Sequence, residues 1–237
     1  RYWGTNDISN TTTDIDLDLA YVTLKEFLYS PATLTIGKQE LRFGNAMIVG
    51  NAFTNNIRSS DSNLSTDPDL STRKAFDAIR LTLNYDPLVI DVVGAKVEEG
   101  TTNVDDDTNL YGINANYALS KTTTVEGYWF EKHTQRKANT QNKVDRVDTL
   151  GGRVVTSAIE NLVYQLEAAY QLGRSVVSAS DTAKRRAWAV ETALTYNMPK
   201  VKYTPSLTAL YAYFTGAKDN DSKVARAWDP MFEDQTF

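Results

Sequence analysis

Cysteine is absent from the 237 residues of this sequence, and its absence excludes disulfides, thiolate metal sites and a CxxCH haem attachment. Histidine occurs once, as His133 beside Lys132 in a charged stretch, where it is a poor candidate for the base of a catalytic nucleophile. No pair of carboxylates stands out as a set for glycoside hydrolysis. We therefore expect no enzyme activity, no cofactor and no metal site.

Basic runs and long apolar runs are also missing. Acidic residues outnumber basic ones by 30 to 25, the formal net charge is -5, and no basic run could neutralise phosphates, which argues against a nucleic-acid partner. The apolar stretches are far shorter than the ~20 residues of a spanning helix. A membrane β-barrel is still allowed, because alternating strands keep the mean hydropathy low, here -0.41.

The clearest pattern in the chain is an alternation of period two. In residues 162–172, LVYQLEAAYQL, leucine, tyrosine and alanine occupy the even positions, and Gln165, Glu167 and Gln171 occupy odd ones. Only an extended strand turns this period into two distinct faces, one apolar and one polar. The apolar face could pack on a second sheet in a soluble sandwich, or it could face lipid in an outer-membrane barrel.

Ten such strands follow one another along the chain. Short turns are expected near residues 30, 86, 120, 159 and 200, and they alternate with longer polar loops near 58, 103, 139, 178 and 220. The predicted strands cover residues 15–27, 32–43, 74–85, 88–98, 108–119, 122–132, 146–157, 162–173, 185–196 and 204–215.

The strict succession of short turns and long loops favours an up-and-down transmembrane barrel over a sandwich with Greek-key crossings. Strands of about 10 to 13 residues also exceed the ~5 to 6 that are usual in soluble sheets. We predict an all-β, antiparallel, up-and-down transmembrane barrel in the outer membrane of a Gram-negative-type envelope, with about ten of its strands in this sequence and further strands outside it. Since neither terminus resembles a closing strand, residues 1–237 are expected to form one barrel domain that is incomplete at both ends.

Charged residues in the middle of strands should point into the lumen, because an arginine facing lipid at the midplane costs ~2–4 kcal/mol. Such groups select the solute of a wide pore, with basic ones attracting carboxylates and phosphates. The alternative is that opposite charges on neighbouring strands only neutralise one another. The predicted pore-lining residues are Lys38, Arg42, Arg80, Asp91, Arg153, Glu167, Arg185 and Glu191.

Two motifs carry a family resemblance. Residues 36–51 read IGKQELRFGNAMIVGN and resemble the GRQEL..G...LVG segment of the alginate export family, and residues 225–237, ARAWDPMFEDQTF, are similar to its (F/W)DP(L/M)F loop. The resemblance implies a monomeric barrel of about eighteen strands, of which ten are here, and export of an anionic polysaccharide through an arginine-lined pore. Lys38 departs from the family's arginine and lacks the bidentate guanidinium.

The sequence therefore predicts a porin-like channel for export or diffusion of a hydrophilic, anionic solute such as a polysaccharide. The alternative is a structural barrel that serves as scaffold or sheath for a partner in an envelope complex, and a third hypothesis is a soluble sugar-binding β protein. The expected partners are the lipid bilayer, the polysaccharide and envelope proteins. The sequence leaves open whether the loop at residues 44–73 folds into the pore.

Overall fold

In the described part of the chain, ten consecutive antiparallel strands lie in one sheet, and each pairs with the next along the chain. The computed structural model describes residues 19–50, 75–98, 108–138, 141–177, 181–217 and 223–233, with the backbone alone at 98, 136–138 and 141–143. The strands are β1 (Ala20–Lys25), β2 (Ala32–Gln39), β3 (Phe76–Asn84), β4 (Leu88–Glu98), β5 (Thr108–Ser120), β6 (Thr123–Ala138), β7 (Gln141–Ile159), β8 (Leu162–Val176), β9 (Thr182–Asn197) and β10 (Ser206–Phe214).

The all-β, up-and-down architecture predicted from the alternation is confirmed. Among the described residues β1 and β10 each have a neighbour on one side, so the sheet is open and fits a partial barrel. A short eleventh strand, β11 (Val224–Ala225), pairs in parallel with β9 beyond the end of β10 and was not predicted. No helix in the part of the chain that is described has the length and hydropathy to cross a bilayer.

The hairpin of β6 and β7 differs most from its prediction. Its strands pair without interruption up to Ala138 and Gln141, so the polar loop expected near residue 139 is mostly strand, and His133 lies in β6 opposite Arg146. The alternation is hidden there because the residues of both faces are mostly polar in this part of the two strands. The loops expected near 58, 103, 178 and 220 lie wholly or largely outside the described residues.

One face of the sheet, here called the outer face, carries two rows of apolar residues that run across eight strands. The cross-strand register aligns Leu34, Leu81, Val92, Ile113, Trp129, Leu150, Tyr170 and Trp188 in the first row. The second row contains Ala32, Leu83, Ile90, Ala115, Gly127, Gly152, Ala168 and Val190. A face with this much exposed apolar surface must be covered, and lipid is the cover that a barrel offers.

The height of this apolar surface matches a membrane. Outward residues of β8 run from Leu162 to Leu172, and ten residue steps of about 3.3 Å on a strand tilted by about 40° span about 25 Å, the apolar band of an outer-membrane barrel. Exposed tyrosines lie at the short-turn edge, where the Tyr29 and Tyr85 hydroxyls are 3.1 Å apart. Trp188 and Tyr213 stack near the other edge. These aromatic residues are typical of membrane interfaces.

Replacing Ala168 with arginine tests this assignment of faces. Ala168 lies in the middle of the apolar band, so the guanidinium should reduce the free energy of unfolding in a bilayer by about 2–4 kcal/mol. Arginine at Leu172, on the same face but beside Arg186 at the rim, should cost no more than about 1 kcal/mol. Denaturant titration of the protein in vesicles measures both, and equal costs would contradict a lipid-facing band.

The opposite face, here called the inner face, is covered by two pieces of the chain that leave the sheet. Residues 40–50, the first inserted segment, follow the end of β2 at Gln39, and residues 227–233 form the second inserted segment. Their apolar side chains form the core with strand residues: Leu41, Phe43, Met47, Ile48, Val49, Phe76, Leu110, Tyr128, Phe130 and Phe232. The prediction that β2 continues to Phe43 is therefore wrong, because these residues are buried against the sheet rather than paired within it.

The two inserted segments bind each other through their backbones. Val49 and Phe232 form a parallel β-bridge, with the Phe232 N–H donating to the Ile48 carbonyl at 3.0 Å and the Gly50 N–H donating to the Phe232 carbonyl at 2.9 Å. The Phe232 ring packs edge-on against Phe76 with centroids 5.7 Å apart. The two motifs that carry the family resemblance thus meet on the inner face.

Candidate functional site

Four charged residues from four successive strands form a single cross-strand row on the inner face. The register places Glu126 of β6 opposite Arg153 of β7, Arg153 opposite Glu167 of β8, and Glu167 opposite Glu191 of β9. Each points inward because successive side chains of a strand alternate between the two faces, and its neighbours in the strand lie on the apolar outer face. This row, called here the central charged row, contains three carboxylates and one guanidinium.

Arg153 is the hub of the central charged row. Its Nη1 lies 3.5 Å from Glu126 Oε2, its Nε lies 3.8 Å from Glu167 Oε2, and its Nη2 donates a hydrogen bond to Gln165 Oε1 at 2.9 Å. The Glu126 and Glu167 side chains are 3% and 1% exposed, so their charges are strongly desolvated. One guanidinium must therefore compensate several buried carboxylates, an arrangement that is stable only while Arg153 is present.

Hydrogen bonds satisfy one carboxylate oxygen of Glu167 and one of Glu191. The Tyr128 hydroxyl donates to Glu167 Oε1 at 2.8 Å, and Gln165 Nε2 donates to Glu191 Oε1 at 3.3 Å. Gly151 makes room for Tyr128, since a Cβ at that glycine would lie 2.5 Å from the phenol ring. These contacts reduce the repulsion between Glu167 and Glu191, which are directly opposite each other.

The first inserted segment lies directly on the central charged row. Asn45 Nδ2 donates to Glu191 Oε1 at 2.5 Å, and a Cβ at Gly44 would lie 3.3 Å from Glu126 Oε2 and 3.5 Å from Arg153 Cδ. Gly44 also adopts φ 56°, a left-handed conformation that favours glycine. The segment therefore follows the surface of the charged row closely and closes access to it from one side.

A second ion pair lies beside the first inserted segment. Arg80 of β3 bonds Asp91 of β4 through Nε and Oδ1 at 2.8 Å, and Thr82 donates to the same oxygen at 2.5 Å. The guanidinium of Arg80 also stacks on the Phe43 ring, 5.3 Å from its centroid. Arg80 thus joins a strand carboxylate and the inserted segment.

The second inserted segment is held at Asp229. Arg185 Nη2 lies 3.7 Å from Asp229 Oδ2 and 3.5 Å from Asp145 Oδ1, and Lys132 forms a short ion pair with Asp229. Gln171 bonds the Asp229 backbone on both sides, donating to its carbonyl at 2.7 Å and accepting from its N–H at 2.9 Å. Two strand cations and one amide therefore anchor the DP motif.

The ionisation of Asp229 explains its attraction to the neighbouring cations. Burial raises the pKa of the Asp229 carboxyl, but the Lys132 ammonium, the Met231 N–H and the Arg185 guanidinium outweigh burial and hold that pKa below its usual value. Asp229 is therefore ionised at neutral pH, so its attraction to both cations persists.

The structure brings six of the eight predicted pore-lining residues to the inner face: Arg80, Asp91, Arg153, Glu167, Arg185 and Glu191. Each arginine in this set is paired with at least one carboxylate. These contacts therefore fit the alternative in which opposite charges on neighbouring strands neutralise one another.

Lys38 and Arg42 are placed differently. Lys38 is opposite Asp77 and shares a face with Ile36 and Ile79, which is the outer face. The register passes through Gly37 without a shift, so Lys38 keeps its outward direction. Arg42 lies between two buried residues of the first inserted segment, and its own side chain is exposed.

Several residues of the inner face were not predicted from the sequence. Asn45, Tyr128, Gln165 and Gln171 are uncharged, and the criterion of a charge at mid-strand passed over them. Asp229 was visible in the DP motif, but nothing local indicated that its partners would be strand cations.

The chain matches a known protein family. A family model described as alginate export matches residues 6–235, nearly the whole chain. The chain belongs to the alginate export family. This is a transport family of the outer membrane, so membership supports a polysaccharide export channel there and matches the apolar outer face of the sheet. A search of curated proteins found no match for this alginate export family protein.

Proposed function

We propose that this alginate export family protein is an outer-membrane channel that exports a hydrophilic polysaccharide, and that residues 1–237 belong to one barrel domain. The observation that carries the proposal is a sheet with a lipid-compatible outer face and an inner face rich in charged and amide groups. In a barrel the inner face lines the passage, where such groups replace the water around a moving sugar polymer.

We also propose that the two inserted segments close the passage at rest. They cover the inner face from Phe76 to the central charged row, and they are bound to each other. Export then requires their displacement, which breaks polar contacts at Asn45 and Asp229 and also the packing of the apolar core that the segments form with the strands. Polar contacts of this kind can be exchanged for contacts with a sugar polymer.

The exported polymer is proposed to be anionic, and Arg80, Arg153 and Arg185 to be its contacts. Displacement of the segments would uncover Arg80 from Phe43 and release Arg185 from Asp229. Both guanidiniums could then bind carboxylates of the polymer in bidentate geometry. The neighbouring acids Asp91 and Asp145 keep this attraction weak, which suits a polymer that must also leave.

Release from vesicles tests the proposal. Proteoliposomes should release a short polyuronate faster than an uncharged glucan of equal length, and Arg80→Gln should reduce the difference. Arg80 is chosen because its side chain is 30% exposed and its loss leaves one buried acid with a remaining threonine donor. Vesicles with an exposed-site variant, Lys121→Gln, should behave as wild type. Equal release would contradict anion preference, and retention of both polymers even by vesicles with the variant Phe232→Ala, in which the inserted segments are loosened, would contradict a channel.

The occupied inner face also favours a second candidate, a structural barrel that acts as a scaffold for an envelope partner. A scaffold has no need to open, so both inserted segments would remain in place during its function. Current recordings in planar bilayers separate the two, because a channel with a loosened segment conducts and a scaffold does not.

A further inference from the structure

A group of cations lies on the outer face, away from the inner charged rows. Arg146 of β7, Arg174 of β8 and Lys184 of β9 are directly opposite one another in the cross-strand register. Arg186 lies on the same face of β9, opposite Leu172 and one row nearer to the apolar band. All four side chains are exposed. We call these four residues the outer basic cluster.

The cluster is electrostatically incomplete. Arg146 bonds Asp148 at 2.8 Å and Glu131 at 3.1 Å, two acids of the outer face. Arg174, Lys184 and Arg186 have no ion pair or side-chain hydrogen bond among the described residues. Like charges directly opposite each other destabilise a sheet, so this arrangement gains stability from an anion that bridges the strands.

The position of the outer basic cluster indicates which anion it would bind. Leu150, Tyr170 and Trp188 belong to the first apolar row of the outer face. The next row toward the outer basic cluster contains Leu172 and Arg186. Trp188 stacks on Tyr213 with centroids 4.7 Å apart, an aromatic pair of the kind found at the level of lipid headgroups. The cations therefore lie at headgroup depth.

The side of the membrane follows from the connections. Arg174 and Lys184 lie two residues from the ends of β8 and β9, and Arg146 lies in the same cross-strand row of β7, on the side of the sheet away from its tight turns. In outer-membrane barrels the short turns are periplasmic, so these ends face the outer leaflet. Guanidinium groups bind phosphate in bidentate geometry, and juxtamembrane cations attract anionic headgroups.

We propose that Arg146, Arg174, Lys184 and Arg186 form a binding site for the phosphate groups of a lipid headgroup in the outer leaflet, with an acyl chain along Leu172 and Trp188. The site is separate from the export passage, because it lies on the other face of the sheet. Its function is to fix the barrel to its surrounding lipid and to relieve the repulsion between β7, β8 and β9.

Binding of a bis-phosphorylated glycolipid to detergent-solubilised protein tests the site, with native mass spectrometry as the readout. The variant Arg174→Gln, Lys184→Gln, Arg186→Gln should bind roughly a hundredfold more weakly, since each cation near a membrane surface contributes a factor of about five. The matched control Lys121→Gln, Lys200→Gln, Lys202→Gln removes three exposed charges at the short-turn edge and should bind as wild type. Equal losses in both variants would show that only net charge matters and would overturn the proposal.

The wild-type protein provides a test that does not depend on the folding of a variant. The bis-phosphorylated glycolipid should bind far more tightly than the same glycolipid without phosphates, and its binding should weaken as salt is raised. Inorganic phosphate at equal concentration should not displace it, because the acyl chain contributes to affinity. Indifference to the lipid phosphates would refute the site, and full displacement by inorganic phosphate would show a site for free anions instead.

Discussion

Replacing Arg153 with alanine should lower the free energy of unfolding by about 3–5 kcal/mol, because the loss of one partner leaves buried charges without compensation. Glu126 and Glu167 would both lose their guanidinium, and Glu191 lies directly opposite Glu167. Denaturant titration in detergent or vesicles measures the change.

A second substitution isolates the electrostatic origin of this effect. Glu167→Gln in the Arg153→Ala background removes one of the unpaired charges and should restore part of the lost stability, giving a favourable coupling between the two sites. Lys121→Ala, at an exposed position of a tight turn, should change the free energy of unfolding by no more than about 0.5 kcal/mol. A small effect of Arg153→Ala would mean that solvent screens the central charged row.

Replacing Phe232 with alanine should raise the conductance of the reconstituted protein severalfold. Phe232 is 7% exposed, packs edge-on against Phe76 and lies at the bridge between the two inserted segments. Removal of a buried phenylalanine costs about 3–5 kcal/mol of packing, which should free both segments from the inner face. Single-channel recording in planar bilayers detects the opened passage.

The control for this experiment is Leu207→Ala, an exposed residue of the edge strand β10, which should leave the conductance unchanged. Trp228 reports independently on the second inserted segment, because its ring packs against Phe214 at a centroid distance of 5.9 Å. If the Trp228 fluorescence shows that the segment is released and the conductance is still that of wild type, the inserted segments do not close the passage.

Both predictions concern the same physical feature, a charged inner face that is covered by the chain itself. The arginines expected to attract solute are already bound to carboxylates, so the resting protein gains stability from them. Under the proposed function, these arginines would exchange partners during export, with solute carboxylates replacing those of the protein or of the inserted segments. A channel of this kind should conduct poorly at rest and open when a polymer or another protein displaces the segments.

Much of the fold could be predicted from the sequence because the pleat of a strand is local. Strand β4 begins at Leu88 and ends at Glu98 as predicted, since Asp86 and Pro87 favour a turn before a run that is rich in valine and isoleucine. The same period directed Arg153, Glu167 and Glu191 to the inner face. The length of β6 and β7 was not predicted, because the alternation of apolar and polar residues disappears where both faces of a strand are polar.

The chain alone thus specifies strands, faces and the hairpin order, since each of these depends on residues that are close in sequence. Whether Leu41, Phe43 and Met47 continue β2 or cover the inner face depends on the far end of the chain, where the second inserted segment supplies their partner. The pairing of Arg153 with two carboxylates likewise needs three strands in register. Contacts between residues so distant in sequence are set by the assembled sheet, because only the sheet brings their backbones within hydrogen-bonding distance.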